Sequence, residues 1–438
     1  MGMLQKIAME NKTGRQIGVF SVCTSNQLVI RAALRHAGKR GYPLVLEATS
    51  NQCNQFGGYT GMTPKDYMDM VHHLVEEEGC PASQLILGGD HLGPLVSCHK
   101  PEREAMKDAA DMIRAYAAAG FGKIHIDTSM RVASDDQNAR LPDSTIARRG
   151  AQLCGVAEVA FAEYQTAHPN APKPVYVIGS EVPIPGGAQE NEDSVTVTTP
   201  HDCEQTLAEF ERAFAAHGLT DAWKRVIAVV VQPGVEFADE SVIEYKRPAA
   251  AELMASLSSH PGLVFEGHST DYQPRKCLRE MVEDGIAILK VGPALTFALR
   301  EGLFALEQIE RELYAMHDLP LSCFRETLEQ VMLEDKGQWA KYYHGDMTQK
   351  RYARAFSFSD RARYYLTNPK VQQSIHRLLE NLDAIGIPVA LLSQYLPVQY
   401  TRVRSGKLLL PRAADLLIDR VGDCIDDYLH AVLKKVTP

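Results

Sequence analysis

Short apolar runs that end in polar residues recur along the first three hundred positions of the chain, and most are separated by stretches with helical periodicity. The eight runs are IGVFSV, PLVLEA, QLILGG, KIHID, VYVIGSE, VIAVVVQ, GLVFEGH and IAILKVG. Continuous apolar strands of this kind are typical of a parallel sheet whose outer face is covered by helices. Eight strands with crossover helices predict an α/β fold, a closed (β/α)8 or TIM barrel, with a doubly wound open sheet as the alternative.

The stretches between the runs carry residues that start helices. In TPKDYMDMVHHLVEEEG, Thr63 is placed to cap a helix and Pro64 fits its first turn. Towards the C-terminus the pattern is helical alone, as in CFRETLEQVML and PRAADLLIDRVGDCIDDYLHAVL. We therefore predict a barrel over residues 1–302 and an all-helical C-terminal region over residues 303–438 that packs on one end of the barrel.

Length and composition fit an ordinary globular enzyme. The chain has 438 residues, of which 45% are hydrophobic and 23% charged, and a net charge of −9. An acidic chain gives no support for nucleic-acid binding, and no apolar run approaches the ~20 residues that a membrane helix needs. Because the N-terminal segment also lacks an apolar signal-peptide stretch, we expect a cytoplasmic protein.

Polar side chains follow the apolar runs, at the carboxyl ends of the predicted strands, where barrel enzymes place their active sites. In chain order, the candidates are Glu47, Asn51, Asp90, His91, Asp127, Ser129, Glu181, Gln232, His268, Ser269, Thr270, Lys290 and Gly292. A closed barrel brings these ends together, so we expect them to form one polar mouth. His125 lies inside its run and is interpreted as a packed barrel residue.

Asp90 and His91 in GGDHLG form the sharpest local signal. An imidazole can bind a divalent metal while the neighbouring carboxylate, aimed differently by the strand's alternation, serves as acid or base. His268 ends a different strand, so the two histidines can share one ion, and Glu181 or Gln232 can complete the set. Zinc accepts a glutamine poorly, whereas manganese or magnesium tolerates oxygen ligands better.

The last two runs point to a phosphorylated ligand. Barrels often bind phosphate around these strands, at backbone amides and the amino end of the following helix. The residues available there are Ser269, Thr270, Lys290 and Gly292. In the C-terminal region, Arg361 and Arg363 of SDRARYYL can clamp a phosphate if this segment closes the barrel mouth.

Several longer motifs together resemble one known family. They are EATSNQCNQFGGYTGMTP, LGGDHLGP, KIHIDTSM, GSEVPIPGG, VVQPGVEF, EGHSTDYQ, LKVGPALTFALRE and SDRARYYL. Over nearly the whole chain they resemble the larger, Z-type subunit of bacterial D-tagatose-1,6-bisphosphate aldolase, from galactitol and N-acetylgalactosamine catabolism. The resemblance implies a fold like that of the class II, metal-dependent aldolases.

The resemblance extends to individual residues. In class II aldolases a strand ends in Asp-His, where the histidine binds zinc and the aspartate transfers a proton, and Asp90 and His91 match that pair. His268 matches a later histidine that precedes a phosphate-binding turn. Those aldolases take a third histidine from the sixth strand, where this chain has Gln232 instead. The chain therefore departs from the standard zinc site at that position.

Two functions follow from the resemblance, and we expect the first. Related stand-alone members resemble 4-epimerases that interconvert D-tagatose 6-phosphate and D-fructose 6-phosphate, for which we hypothesise a metal-dependent retro-aldol and aldol route. The alternative is a non-catalytic chain that stabilises a separate class II aldolase catalytic subunit. A sugar-phosphate kinase is a third class, disfavoured because no G-x-x-x-x-G-K-[ST] loop is present. Each function is compatible with a homo-oligomer.

In the epimerase hypothesis each group of candidate residues has a role. Asp90 or Glu181 takes the proton of the C4 hydroxyl of the ketohexose phosphate. The residues expected to hold substrate hydroxyls are Glu47, Asn51, Asp127 and Ser129. The expected cofactor is a divalent metal, which is zinc, manganese or magnesium.

Overall fold

Eight parallel strands form a closed barrel in a computed structural model that describes residues 2–180, 195–314, 320–409 and 411–433. The barrel strands are β1 (Val19–Cys23), β2 (Leu44–Thr49), β3 (Leu85–Leu92), β4 (Lys123–Ile126), β5 (Val175–Ile178), β6 (Val226–Val231), β9 (Val264–Gly267) and β10 (Ile286–Val291). A short antiparallel pair, β7 (Glu236–Phe237) and β8 (Val242–Ile243), lies between β6 and β9 in the chain. The order around the barrel is β1-β10-β9-β6-β5-β4-β3-β2. The predicted closed barrel is confirmed.

Helices connect the strands and make up most of the chain after β10. The first ten are α1 (Met3–Glu10), α2 (Gln27–Arg40), α3 (Pro64–Glu78), α4 (Glu102–Ala118), α5 (Asp143–Ala167), α6 (Pro200–Ala216), α7 (Thr220–Trp223), α8 (Arg247–Ser256), α9 (Arg275–Glu283) and α10 (Pro293–Tyr314). The C-terminal region adds α11 (Phe324–Glu334), α12 (Met347–Phe356), α13 (Pro369–Ile385), α14 (Val389–Tyr395), α15 (Pro397–Arg404) and α16 (Ala413–Val432). Within the described residues, none of these helices is long and apolar enough to cross a bilayer.

The start of α3 shows how the sequence sets a helix boundary. The Thr63 side chain accepts a hydrogen bond from the Asp66 amide, and the Asp66 carboxylate in turn accepts one from the Thr63 amide. Pro64 occupies the first turn, and Gly79 ends the helix with a φ of 64°. The predicted cap and proline positions are thus confirmed, because each satisfies backbone groups that a helix end leaves open.

Apolar packing divides the barrel interior into a dry end and a polar end. Valines of the strands, such as Val45, Val175 and Val264, pack with Leu4 and Ile7 of α1 at the amino end of the barrel. The larger hydrophobic core fills the space between the barrel and the surrounding helices. Helix α1 closes the amino end of the barrel with apolar side chains. The charged interior residues lie towards the carboxyl ends of the strands.

The C-terminal region returns to the barrel wall. Helix α16 packs against α2, α9 and α10, and the Gly18 amide before β1 donates to the Val432 carbonyl at 3.1 Å. The position between α9 and α2 is the one that a helix after the eighth barrel strand takes in this fold. The predicted boundary after residue 302 falls inside the unbroken α10. The division into two parts stays a prediction.

Residues 357–365, which we call the mouth segment, join the C-terminal region to two loops at the carboxyl end of the barrel and to helix α10. The Phe358 amide donates to the Asp239 carbonyl at 2.9 Å, and the Tyr272 hydroxyl donates to the Phe358 carbonyl at 2.6 Å. Asp360 accepts hydrogen bonds from Thr296 at 2.6 Å and Arg300 at 2.8 Å. These contacts fix the segment beside the strand ends.

Candidate active site

Five barrel strands place ionisable side chains in the interior of the barrel near its mouth. They are Glu47 from β2, Asp90 from β3, Lys123 and His125 from β4, Glu266 from β9 and Lys290 from β10. None of the six is more than 4% exposed. Charges at this depth are stable only when they are paired or hydrogen-bonded, so their contacts define the site.

Lys123 joins two carboxylates at the bottom of the site. Its Nζ donates to Glu47 Oε1 at 2.6 Å and lies 2.7 Å from Glu266 Oε2. Gly88 pairs with Glu47 on one side and with Lys123 on the other, so the Glu47 side chain crosses over it. A Cβ on Gly88 would lie 2.6 Å from Glu47 Oε1. Gly88 of GGDHLG thus leaves space for the Glu47 side chain.

Lys290 lies between the carboxylates nearer the mouth. Its Nζ is 2.8 Å from Asp90 Oδ1 and 3.9 Å from Glu266 Oε1, and it also forms an ion pair with Glu47. Burial lowers the pKa of Lys290 to about 8. Lys290 was predicted to bind phosphate. Its contacts argue against that role, because its ammonium is already paired with carboxylates of the barrel interior.

Three histidine rings pack edge to face above these ions. The ring centroids of His91, His125 and His268 are 4.9 to 5.2 Å apart. The Asp90 carboxylate contacts two of the rings: Oδ1 is 2.8 Å from His125 Nδ1, and Oδ2 is 3.0 Å from His91 Nδ1. His268 Nε2 is 3.0 Å from Glu266 Oε1. The interpretation of His125 as only a packed residue is therefore corrected, because it belongs to this cluster.

A turn in the backbone brings Asp90 and His91 to the same side. Neighbouring residues of a regular strand point to opposite faces, which is what the sequence analysis expected here. His91 instead has a φ of 50°, and the pairing of β3 with β4 shifts between Gly89 and Leu92. A left-handed backbone at a residue other than glycine is uncommon and is concentrated at functional sites.

The side chains present fit a divalent metal. Asp90, His125, Glu266 and His268 each offer a ligand atom, and the four atoms lie within 4.8 Å of one another. His125 Nε2 is buried and has no hydrogen-bond partner among the described residues. In the tautomer whose Nδ1 donates to the Asp90 carboxylate, this nitrogen keeps the lone pair that a metal uses. Two imidazoles and two carboxylates suit zinc or manganese.

The protonation states in the cluster also suit a cation. Burial alone would raise the pKa of Asp90, but His91 and His125 beside it outweigh that effect and hold its pKa well below the usual range. Lys123 and His268 do the same for the pKa of Glu266. Burial lowers the pKa of His268, which favours the neutral imidazole. Ionised carboxylates and neutral imidazoles are the forms that bind metals.

Gln232, predicted as a possible metal ligand, has a structural role. Its side-chain oxygen accepts hydrogen bonds from the amides of Gly234 and Val235, both at 2.9 Å. It thereby holds the turn that follows β6, and Gly234 adopts a φ of 85° there. Because that oxygen already serves two donors, Gln232 leaves the proposed ligand set. Glu181, the other predicted ligand and base, lies outside the described residues.

A cavity leads from the cluster to solvent, and its empty space, with the open solvent at its mouth included, is about 640 Å³. Its lining includes Asp90, His91, His268 and Lys290 from the barrel, Asn51, Ser269 and Gly292 from the loops, and Tyr59, Arg363 and Tyr364 around the mouth. The structure thus brings the predicted residues Asn51, Ser269 and Arg363 to one cavity with Asp90 and the histidines.

Two predicted phosphate ligands are engaged elsewhere. The Thr270 hydroxyl donates to the Lys290 carbonyl at 2.5 Å and contacts the Tyr428 hydroxyl at 3.1 Å, inside the protein. The Gly292 amide, predicted to bind an anion, donates to Asp271 Oδ1 at 3.0 Å, and the Ala294 amide donates to the same oxygen at 2.8 Å. A carboxylate of the chain thus occupies the helix end at which we expected phosphate.

Four other predicted residues, Glu47, Asp127, Ser129 and Arg361, do not line the described part of the cavity. Glu47, predicted to hold substrate hydroxyls, is instead held by Lys123 and Lys290 in the barrel interior. Ser129 donates its amide and hydroxyl to Asp127 Oδ1, at 3.0 and 2.6 Å, so these two residues hold each other. Arg361 is 2% exposed, and its guanidinium carbon lies 3.3 Å from the ring centroid of Tyr342. Of the two predicted arginines, Arg363 is therefore the one available to a ligand.

The sequence analysis missed Lys123 and Glu266 as site residues, and strand periodicity could have found them. Lys123, His125 and Asp127 alternate with apolar residues in KIHID, and Glu266 and His268 stand two apart in FEGH. Residues two apart in a strand share a face. Polar side chains at alternate positions of an otherwise apolar run therefore indicated the barrel interior.

Comparison with known proteins identifies the family. Residues 4–433 match the model of the family described as D-tagatose-1,6-bisphosphate aldolase subunit GatZ/KbaZ-like. The chain belongs to this family. Its members include the aldolase subunit GatZ of Salmonella enteritidis, which is 45% identical over 97% of this chain and 98% of the relative. The corresponding subunit of Salmonella heidelberg is 46% identical over the same shares.

A solved structure is similar over almost the same length. It is described as a probable tagatose 6 phosphate kinase from Sinorhizobium meliloti, with 44% identity, a TM-score of 0.84, and coverage of 94% of this chain and 100% of that one. The resemblance stated from the sequence motifs is confirmed. The chain is a member of an aldolase-subunit family of sugar metabolism.

Proposed function

We propose that this member of the GatZ/KbaZ-like family binds a phosphorylated ketohexose at the barrel mouth and, with a divalent metal, interconverts D-tagatose 6-phosphate and D-fructose 6-phosphate. The observation that carries the proposal is the cluster of Asp90, His125, Glu266 and His268 beside an open cavity. Even when they are paired, as here, buried charges add little to stability, because their desolvation offsets their attraction and well-packed apolar residues would serve as well. A subunit that only stabilised another chain would have no physical need for them.

Within the cluster we assign separate roles to the metal ligands and the base. His125, Glu266 and His268 hold the metal, and His91 beside them remains a candidate ligand. A metal bound there would polarise the ketose carbonyl. Asp90 lines the cavity and is held as an ionised carboxylate by its histidine neighbours, so it is placed to accept a proton.

The reaction is a cleavage followed by re-addition. Asp90 takes the proton of the C4 hydroxyl, the C3–C4 bond breaks, and its electron pair stays on the three-carbon enediolate fragment while C4 becomes an aldehyde. The aldehyde rotates and the C3–C4 bond forms again on its other face, which inverts C4. Arg363 binds the phosphate, since it is the predicted arginine that lines the cavity. Asn51 and Ser269 hold substrate hydroxyls.

The names of the relatives favour a second candidate function. Proteins 45% identical to this chain over nearly their whole length are named as aldolase subunits. In this candidate the chain supports a separate class II aldolase chain and has no activity alone. The kinase description of the similar solved structure gives a third candidate, and the absence of a G-x-x-x-x-G-K-[ST] sequence in this chain disfavours it.

One assay separates these candidates. The purified chain is incubated with D-tagatose 6-phosphate and zinc, manganese or magnesium, and D-fructose 6-phosphate is measured with a coupled isomerase and dehydrogenase. We expect conversion by the wild type and a loss of ~100-fold or more in His268→Ala. His260→Ala is the control, because His260 pairs with Glu204 away from the cavity.

No conversion with any of the three metals would refute the epimerase. A rise in the activity of a co-expressed aldolase chain would then favour the supporting subunit. ATP consumption with D-tagatose 6-phosphate would favour the kinase.

A further inference from the structure

The mouth segment contributes a tyrosine to the cavity. Tyr364 and Arg363 line the cavity together with Asp90 and His91, although they are more than 270 residues away in the chain. The ring of Tyr364 packs against Tyr59, which also lines the cavity, with centroids 4.8 Å apart and an angle of 66° between the planes. The tyrosine is thus part of the cavity wall on the side of the C-terminal region.

The hydroxyl of Tyr364 accepts hydrogen bonds from two arginines. Arg363 Nη2 donates to it at 3.0 Å and Arg361 Nη1 at 3.3 Å. Among the described residues, no group accepts the proton of this hydroxyl. Arg361 is itself buried, and its Nε and Nη2 have no hydrogen-bond partner there. A phenol in this position can give its proton to a ligand in the cavity, and the resulting phenolate would be stabilised by two cations.

Epimerisation at C4 by cleavage and re-addition needs proton transfer at two positions. In one epimer the C4 oxygen loses its proton on one side of the carbon chain. After the aldehyde has rotated, the same oxygen lies on the other side and must gain a proton there. A single fixed group serves one of these positions well, so a second group on another wall of the cavity is required.

We propose that Tyr364 is this second catalytic residue, which transfers a proton to and from the C4 oxygen from the mouth segment while Asp90 does so from the barrel. The inference rests on the proposed epimerase function. In one direction Asp90 takes the C4 hydroxyl proton as the C3–C4 bond breaks, and Tyr364 gives its proton to the aldehyde oxygen as the bond forms again. The proton then returns from Asp90 to Tyr364 through solvent once the product has left, so no oxidant or reductant is needed.

The charges around Tyr364 support this role. Burial would raise the pKa of the phenol, but Arg363, Arg361 and Lys341 outweigh it and place the pKa below the usual tyrosine value. Tyr59, which faces it from the loop after β2, has its pKa raised to about 12 by burial. Of the two tyrosines in the wall, Tyr364 is therefore the one that ionises more easily.

Partial reactions of Tyr364→Phe and Asp90→Asn test the proposal. Retro-aldol cleavage of either ketose 6-phosphate yields dihydroxyacetone and glyceraldehyde 3-phosphate, and the latter is trapped with its dehydrogenase. We expect Tyr364→Phe to lose ~100-fold or more of epimerisation in both directions and to keep metal-dependent cleavage of one epimer. Asp90→Asn should lose cleavage of that epimer. In the direction in which Tyr364 gives its proton, kcat/KM for epimerisation by the wild type should decline at high pH, and this decline should disappear in Tyr364→Phe.

Tyr365→Phe is the matched control. Its hydroxyl donates to the Asp335 carbonyl at 2.7 Å, away from the cavity, so we expect its epimerisation to equal that of the wild type. The inference alone is overturned if Tyr364→Phe epimerises at the wild-type rate. It is also overturned if that variant loses cleavage of both epimers equally. A wild type that converts neither ketose with any metal overturns the proposed function and the inference with it.

Discussion

Glu47 and Lys123 form a fully buried ion pair across Gly88, with Oε1 and Nζ 2.6 Å apart. The three residues lie side by side on β2, β3 and β4. The missing side chain on the middle strand is what lets the two outer ones meet. Since Lys123 also contacts Glu266, one glycine on β3 supports the ion pairs beneath the cluster of Asp90, His125, Glu266 and His268.

Gly88→Ala should therefore be strongly destabilising. The new Cβ would lie 2.6 Å from Glu47 Oε1 and displace the carboxylate from Lys123. Breaking a buried ion pair typically costs about 3–5 kcal/mol, and we expect a loss of that size in the free energy of unfolding, measured by urea denaturation. Gly122→Ala is the matched control, because a Cβ there would meet only Ile86, at 4.0 Å. Equal stability of the two variants would contradict the argument.

Removal of single side chains should identify the metal ligands. We expect His125→Ala and His268→Ala each to weaken binding of zinc or manganese by ~10-fold or more, measured by calorimetry on the metal-free protein. Gln232→Ala should bind the metal as the wild type does, because its side-chain oxygen serves the Gly234 and Val235 amides. Weakened binding in Gln232→Ala alone would restore the ligand set that the sequence predicted.

The barrel could be predicted from the sequence because short, mainly apolar runs mark its strands, and stretches of helical periodicity, some with a capping residue such as Thr63, separate them. The polar mouth was predicted for the same reason. Asp90 follows the run QLILGG, and His268 and Ser269 stand at the end of GLVFEGH and just after it; all three line the cavity. Local pattern sufficed there. It did not suffice for Thr270, which is next to Ser269 but hydrogen-bonds inward to Tyr428 of α16.

Other parts of the site depend on contacts between distant residues. The Gly292 amide fits an anion by its position, but Asp271 fills that place through a loop that no local pattern describes. The mouth segment that carries Tyr364 is held beside the cavity by residues distant in the chain, among them Arg300 and Thr296 of α10, which bind Asp360. The left-handed backbone of His91 likewise has no signal in the sequence. These features arise from tertiary packing.

Asp360→Asn should loosen the mouth segment. Asp360 and Arg300 are both 2% exposed and 2.8 Å apart, and the neutral amide leaves the Arg300 charge without its partner. We expect a loss of about 3 kcal/mol in stability and faster limited proteolysis within residues 357–365. Asparagine tolerates the φ of 44° at this position, so backbone strain is not the cause. Asp335→Asn, with an exposed carboxyl in the same region, should behave as the wild type.

Asp271→Asn should change how stability depends on pH. Burial raises the pKa of Asp271 to about 6, against an ordinary aspartate value of about 3.9 in the unfolded chain. Because the folded pKa is the higher one, the folded state binds more protons between these values, and ionisation of Asp271 removes stability as the pH rises through about 4 to 6. A shift of about 2 units corresponds to about 3 kcal/mol.

Asparagine does not ionise, so the free energy of unfolding of the wild type minus that of Asp271→Asn should fall by up to about 3 kcal/mol between pH 4 and pH 7. The Gly292 and Ala294 amides both donate to Oδ1, which asparagine retains, so the change to a neutral acceptor adds only an offset that does not vary with pH. Urea unfolding of both proteins at four pH values measures the difference. Asp427→Asn, on the surface beside Arg275, should parallel the wild type. A difference that is constant with pH would show that Asp271 is not held in its raised-pKa state.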